Sequence, residues 1–235
     1  MIADLPKRQA PNAPVDDAAK AIAEAATREL VERVSALPGV AAVGLGTLAP
    51  FGWTMSISNF ALPGSDESAA EQPTANSAFV NRDFFVALGM RATRGRTFTD
   101  DEVRSRADVA IVDETFVHRV LHDADPIGRT LRMGGSGDPT MRDFKIVGVV
   151  PTAKLRTLDE KPDRPTIYRP DPLPLDAMLL VRSKGDPAAL VEPIKAAFGP
   201  SHRRRISATP SRCVSASSER CATARGSTRC SDCSV

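Results

Sequence analysis

Phe144-Lys145-Ile146-Val147-Gly148-Val149-Val150 decides how the rest of the chain is read. Its β-branched, apolar run makes it the strongest strand in the sequence, and everything around it has to pack on a sheet. Just upstream, Asp125-Pro126-Ile127-Gly128-Arg129 makes a turn, and Thr130 to Met133 begins a hairpin across Gly134-Gly135-Ser136-Gly137-Asp138. A phosphate-binding loop would instead run from a strand into a helix. These glycines lie between strand-like runs with no Gly-Lys-Ser/Thr, so nucleotide binding is not expected.

Further upstream, Val109-Ala110-Ile111-Val112 is a four-residue apolar strand. Asp113-Glu114 leads from it into a helix with Phe116, Val117, Val120 and Leu121. Val40 to Leu48 reads as a buried strand, and Ala78-Phe79-Val80 as another. Asp83 to Leu88 is a short helix stopped by Gly89, whose Phe84, Phe85 and Leu88 read as core rather than a ligand cage. Near the start, Ile22, Ala26, Leu30, Val34 and Leu37 recur at steps of four or three, with Ala23 and Val31 beside them, from an N-terminus at Asp16-Asp17 to a stop at Pro38-Gly39. That is one amphipathic helix whose apolar stripe should cover a sheet or another helix.

Downstream, Lys154 to Glu160 and the prolines from Pro162 to Pro174 read as a loop region around Ile167-Tyr168. Ala177 to Arg182 then reads as a strand, and Asp186-Pro187 starts a helix through Leu190, Val191, Ile194 and Phe198. Strands and helices alternate without a clean βαβ repeat, so the body is expected to be α+β.

Charge divides the chain unevenly. The whole carries 31 Lys+Arg against 29 Asp+Glu, yet residues 201–235 hold seven Arg and only Glu219 and Asp232. The first 200 residues are mildly acidic, which argues against a nucleic-acid domain, where clustered Lys and Arg must displace counterions. All four cysteines, Cys213, Cys221, Cys230 and Cys233, also lie in that tail, so disulfides are not expected to hold the body together. Cys230 and Cys233 have CxxC spacing, but no second pair at matched spacing completes a zinc site. With nine Ser and no Leu, Phe or Met, the tail reads either as a disordered basic arm or as coding sequence out of frame, the second being favoured. It is left out of the fold.

Residues 1–15 read as a flexible N-terminus, and Met1 to Val15 offers no apolar segment of a secretory signal. Val34 to Ser65 lacks any charge, but Pro38, Pro50, Pro63 and five glycines interrupt it, whereas a membrane helix needs roughly 20 apolar residues. No transmembrane helix is expected.

Two groups could carry chemistry. His118 and His122 have the i, i+4 spacing of metal ligands on one helix face, and Asp123 and Asp125 stand close by as oxygen donors. The helix lacks the intervening Glu of a metalloprotease, and the remaining histidine, His202, is in the tail, so surface residues are the better reading. Thr99-Asp100-Asp101-Glu102 places three acids together; adjacent positions do not share a helix face, so Thr99 capping a short helix is favoured over a metal site. No nucleophile, base and oxyanion hole assemble into an active site. No catalytic residue, cofactor or metal ligand is assigned. The rival reading is a small metal-dependent hydrolase using His118, His122, Asp123 and Asp100 or Asp101, and a third is a stand-alone ligand-binding protein.

Six strings in order resemble one family: Leu37-Pro38-Gly39-Val40, Phe84 to Met90, Arg94-Gly95-Arg96-Thr97-Phe98, Val109 to Glu114, Asp125 to Arg129 and Phe144 to Val149. Over residues 16 to 200 the chain is similar to the MacB-like periplasmic core domain of FtsX-like permeases in ABC transporters. The resemblance implies a porter-like α/β subdomain (16–89 and 166–200) with an inserted β-rich subdomain (90–165). It also implies a non-catalytic role on the periplasmic side of the inner membrane. The partners would be transmembrane helices of the same permease, a separate ATPase subunit or domain, and a periplasmic partner or substrate. The family's transmembrane helices before Asp16 and after Phe198 have no counterpart here, so a truncated or frame-shifted product is expected.

Overall fold

The computed structural model describes residues 2–4, 17–48, 56–64, 72–134, 142–154, 164–174 and 177–198. The tail with its four cysteines, and with them the CxxC and out-of-frame readings, lies outside the described residues, as do Gly135 to Asp138. Among these residues ten strands and five α-helices alternate in the order β1 (Ile2–Asp4), α1 (Asp17–Ser35), β2 (Val40–Gly46), β3 (Ser56–Ala61), β4 (Thr74–Val80), α2 (Phe84–Leu88), β5 (Arg94–Gly95), α3 (Asp100–Ser105), β6 (Val109–Asp113), α4 (Glu114–Val120), β7 (Thr130–Met133), β8 (Arg142–Val150), β9 (Thr166–Pro170), β10 (Met178–Ser183) and α5 (Val191–Ala197). A short 3-10 turn, Pro187–Leu190, precedes α5. The body is α+β, as expected.

Six of the strands form a closed ring. β4 pairs antiparallel with β3 (Ser56 opposite Ser77), β3 with β7 (Phe60 opposite Met133) and β7 with β8 (Leu131 opposite Phe144). β8 runs parallel to β6, β6 antiparallel to β9 (Ile111 opposite Tyr168), and β9 returns parallel to β4 (Ser77 opposite Ile167). A ribbon of β2, β10 and β1 leaves the ring where Gly46 meets Val80.

The period of two along each ring strand sorts side chains into two cores. Phe60, Ala75, Ala110, Val112, Leu131, Met133, Phe144, Ile146 and Ile167 form one with Phe116 and Val117 of α4 and Leu121 at its C-terminal end. Their alternates, including Ala78, Val80, Ile111, Val150 and Tyr168, form the other with Phe84, Phe85 and Leu88 of α2. Phe85 and Phe84 meet Tyr168 at centroid distances of 5.2 and 5.9 Å. α2 can lie this close to β2 because Gly44 and Gly46 carry no side chain: a Cβ there would stand 2.7 Å from the Phe84 Cα and 2.3 Å from its ring. A third cluster joins Leu30 and Val34 of α1, Val43 and Leu45 of β2, Leu179 and Val181 of β10, and Leu190, Ile194 and Phe198.

Three expectations need correcting, and one strand went unread. Ile167 and Tyr168 lie not in a loop but in β9, buried and paired on both edges; the prolines around them hid a strand in which only Pro170, at its end, lacks a backbone N–H. Ser56–Ala61 is a strand as well, disguised by its small polar residues. Ile2–Asp4, read within a flexible N-terminus, pairs antiparallel with β10. Finally, the α1 stripe is covered only in its last half. Leu30 and Val34 are buried, whereas Ile22 is 71% exposed and Ala23 and Ala26 also face solvent, because β2 and β10 underlie only the C-terminal turns. The first half is tethered by an ion pair from Glu24 to Arg106.

Candidate functional site

The sequence candidates do not assemble into a metal site. Helix α4 ends at Val120, and His122 follows it with a left-handed φ of 49°, so His118 and His122 do not share a helix face. His118 Nδ1 lies 3.2 Å from both carboxylate oxygens of Asp123, on the surface. Asp125 accepts the Ile127 N–H at 3.2 Å. Thr99 and Glu102 form a reciprocal capping box at the start of α3, with Glu102 clamped by two 2.7 Å bonds from Arg96. Asp100 pairs with Arg82 at 3.2 Å and Asp101 with Arg104 at 3.0 Å. Among the described residues, no three His, Cys, Asp or Glu side chains come together as metal ligands.

Two other charged groups, which sequence reasoning missed, stand near the two ends of β9. Asp113 is fully buried, where β6 passes into α4. Its Oδ1 accepts the Phe116 N–H at 2.9 Å, the N-cap bond of α4. Burial pushes the carboxyl up to about 6, against the opposing pull of the Phe116 N–H and the neighbouring Thr166 and Thr152. Those threonines lie near, but Oδ2 makes no hydrogen bond of good geometry. Thr152 Oγ is engaged with Thr115, at 2.9 Å to its hydroxyl and 3.0 Å to its N–H. The same burial, with the Asp113 charge beside it, raises the Tyr168 phenol.

At the far end of β9 is Arg169. Its guanidinium stacks over the Phe79 ring at 4.2 Å and lies 5.5 Å from the Phe144 centroid. Nη2 donates to Ser77 Oγ at 2.9 Å, while Nε is buried without an acceptor. Among the described residues no carboxylate pairs with it. The nearby charge is instead a second cation, Arg142, which is itself ion-paired with Asp108. Burial first, and Arg142 second, lower the Arg169 guanidinium to about 10, so it stays charged at neutral pH. The sequence signal was slight: an arginine between Tyr168 and Pro170, in a stretch that reads as loop.

No helix among the described residues is long and apolar enough to cross a membrane. Over 90 residues the chain is 31% identical to the macrolide export ATP-binding/permease protein MacB 2 of Aeromonas hydrophila, a match covering 38% of this chain and 13% of that protein. Over 77 residues it is 26% identical to the MacB protein of Neisseria gonorrhoeae, covering 33% and 11%. The matched segments are thus a small fraction of those relatives. The fold is similar to the periplasmic region of MacB from Actinobacillus actinomycetemcomitans, with TM-score 0.52, 16% identity, and 86% and 84% of the two chains covered. It is also similar to the extracellular domain of the ABC-type transporter YknZ from Gram-positive bacteria, with TM-score 0.54, 14% identity, and 88% and 100% covered. The model of one family, the MacB-like periplasmic core domain, matches residues 5–197, the span that holds the ring, β2, β10 and all five helices but not β1, and to that family the chain belongs.

Proposed function

We propose that this chain serves as a non-catalytic, extracytoplasmic domain of an ABC-transporter permease, coupling the permease to its substrate or to a periplasmic partner. The observation that carries the reading is the family match over residues 5–197. The partners in this reading are the permease's transmembrane helices and a separate ATPase subunit or domain. Residues 16–89 and 166–200 would form the porter-like α/β subdomain and 90–165 the inserted β-rich one. The cluster of α1, β2, β10 and α5 supports the division, since all its members come from the first set. The ring itself draws strands from both sets, so the two parts would move as a unit rather than hinge at 89/90.

The chemistry of the candidate residues supports a non-catalytic role. The acids at 100–102 are spent on ion pairs and a cap, and His118 on Asp123. The purified full chain is expected to show no ATP hydrolysis above background and to retain no metal after dialysis. Stoichiometric zinc or manganese that survives dialysis and is lost in His118→Ala would overturn the proposal in favour of a metal-dependent hydrolase. Incubation with a macrolide then separates two modes of coupling: a concentration-dependent rise in Tm marks direct substrate contact, and an unchanged Tm points to a protein partner.

A further inference from the structure

We propose that Arg169 is a binding site for a carboxylate, presented by a small organic acid with an apolar body. The inference stands apart from the transport reading, because it rests only on how this one cation is held. Buried charges in proteins are normally paired, since desolvating an ion without a counter-charge is expensive. Even half-exposed arginines of this chain are paired. Arg96 is clamped on Glu102, and Arg106 lies 3.2 Å from both Glu24 and Asp171. Arg169 is the departure. Among the described residues its surroundings are a serine hydroxyl, two aromatic rings and a second arginine, with Nε buried and lacking an acceptor.

The geometry selects the chemistry of the ligand. A guanidinium presents parallel N–H groups that match the two oxygens of a carboxylate. Arg142 is already neutralised by Asp108, which leaves one uncompensated positive charge and favours a monoanion over a phosphate dianion. Phe79 is 37% exposed, so beside the charged fork an aromatic surface is open to an apolar group. A neutral hydroxyl or carbonyl ligand would leave the charge uncompensated.

The test is a titration of the full, uniformly 15N-labelled chain with benzoate and acetate, reading the arginine Nε–H resonances, with chloride and sulfate at matched ionic strength as controls. Arg169→Lys identifies the resonance by its loss. One saturable Nε–H shift is expected, tighter for benzoate than for acetate. Ser77→Ala, which removes the hydroxyl that orients the fork, is expected to weaken benzoate roughly tenfold. The proposal is overturned if benzoate gives no saturable shift, if sulfate or chloride gives the same one (an adventitious ion only), or if Ser77→Ala binds benzoate as the wild type does. The wild-type titration decides the matter even if a variant fails to fold.

Discussion

Near the two ends of β9 the protein buries opposite charges by different means. At the Thr166 end, Asp113 is sealed from solvent, spends one oxygen on an N-cap bond and has hydroxyls for neighbours, so its carboxyl rises to about 6. At the Arg169 end the cation stays charged, faced by aromatic rings and a second arginine. Three residues of extended strand, about 10 Å, separate Thr166 from Arg169, too far for a direct ion pair between the two sites. Below about pH 6 the carboxylate escapes the cost of burial by taking up a proton, whereas a guanidinium has no such route there. The first site therefore explains itself within the fold, and the second needs something from outside.

The largest test of this contrast is the core that holds both ends in place. Tyr168 is 1% exposed and packs on Phe84 and Phe85. Tyr168→Ala should cost about 3–5 kcal/mol in urea unfolding; a loss below about 1 kcal/mol would mean that β9 is not clamped by this cluster.

Asp113→Asn comes next. The folded carboxyl titrates near 6, above the ordinary value of 3.8, so the folded state takes up the proton first. The Asp113 contribution to stability therefore rises as pH falls from above 6 towards 4, and is flat below. At pH 8 the Asn variant, which keeps a cap acceptor, should exceed the wild type by about 2–3 kcal/mol, and that gap should nearly close by pH 4. Melts at the two pH values that show a constant gap would contradict the burial argument.

Arg169→Met should sharpen the difference between the ends. Replacing this cation, which no described carboxylate neutralises, with an apolar side chain is expected to raise stability by about 1 kcal/mol. A clear drop in Tm would assign Arg169 to the fold. Glu102→Gln supplies the paired reference: Arg96 holds the Glu102 carboxyl at about 2, so its contribution is present above the ordinary value near 4.5 and lost as pH falls towards 2. Its loss should cost about 1 kcal/mol at pH 7 and little at pH 2. The smallest effect is expected from His118→Ala, within about 0.5 kcal/mol of wild type, since its partner Asp123 is also exposed.

Much of this architecture is local and was legible for that reason. β6 and β8 are apolar runs, the box at Thr99 and Glu102 is a three-residue spacing, and Gly89 ends α2 in the left-handed region. β9 was not legible, because what makes it a strand is distant: β4 on one edge and β6 on the other. The same holds for Arg169. Ser77 is 92 residues away and Phe79 and Phe144 come from two other strands, so no spacing in the chain announces that they meet. Asp113 was half legible. Its place before Glu114 marks a helix start, but nothing local says that the carboxyl is entirely buried there.

Closure of the ring also sets the order in which the chain can fold. β4 and β6 each keep an unpaired edge until residues 166–170 are available, and that last pairing joins segments some ninety residues apart. Such long-range closure is intrinsically slow, and open edges invite pairing with other chains in the meantime. A nascent chain halted before Thr166 would carry nearly the whole ring and still lack the strand that seals it. Folding yield during synthesis should therefore depend on how quickly β9 follows β8 out of the ribosome.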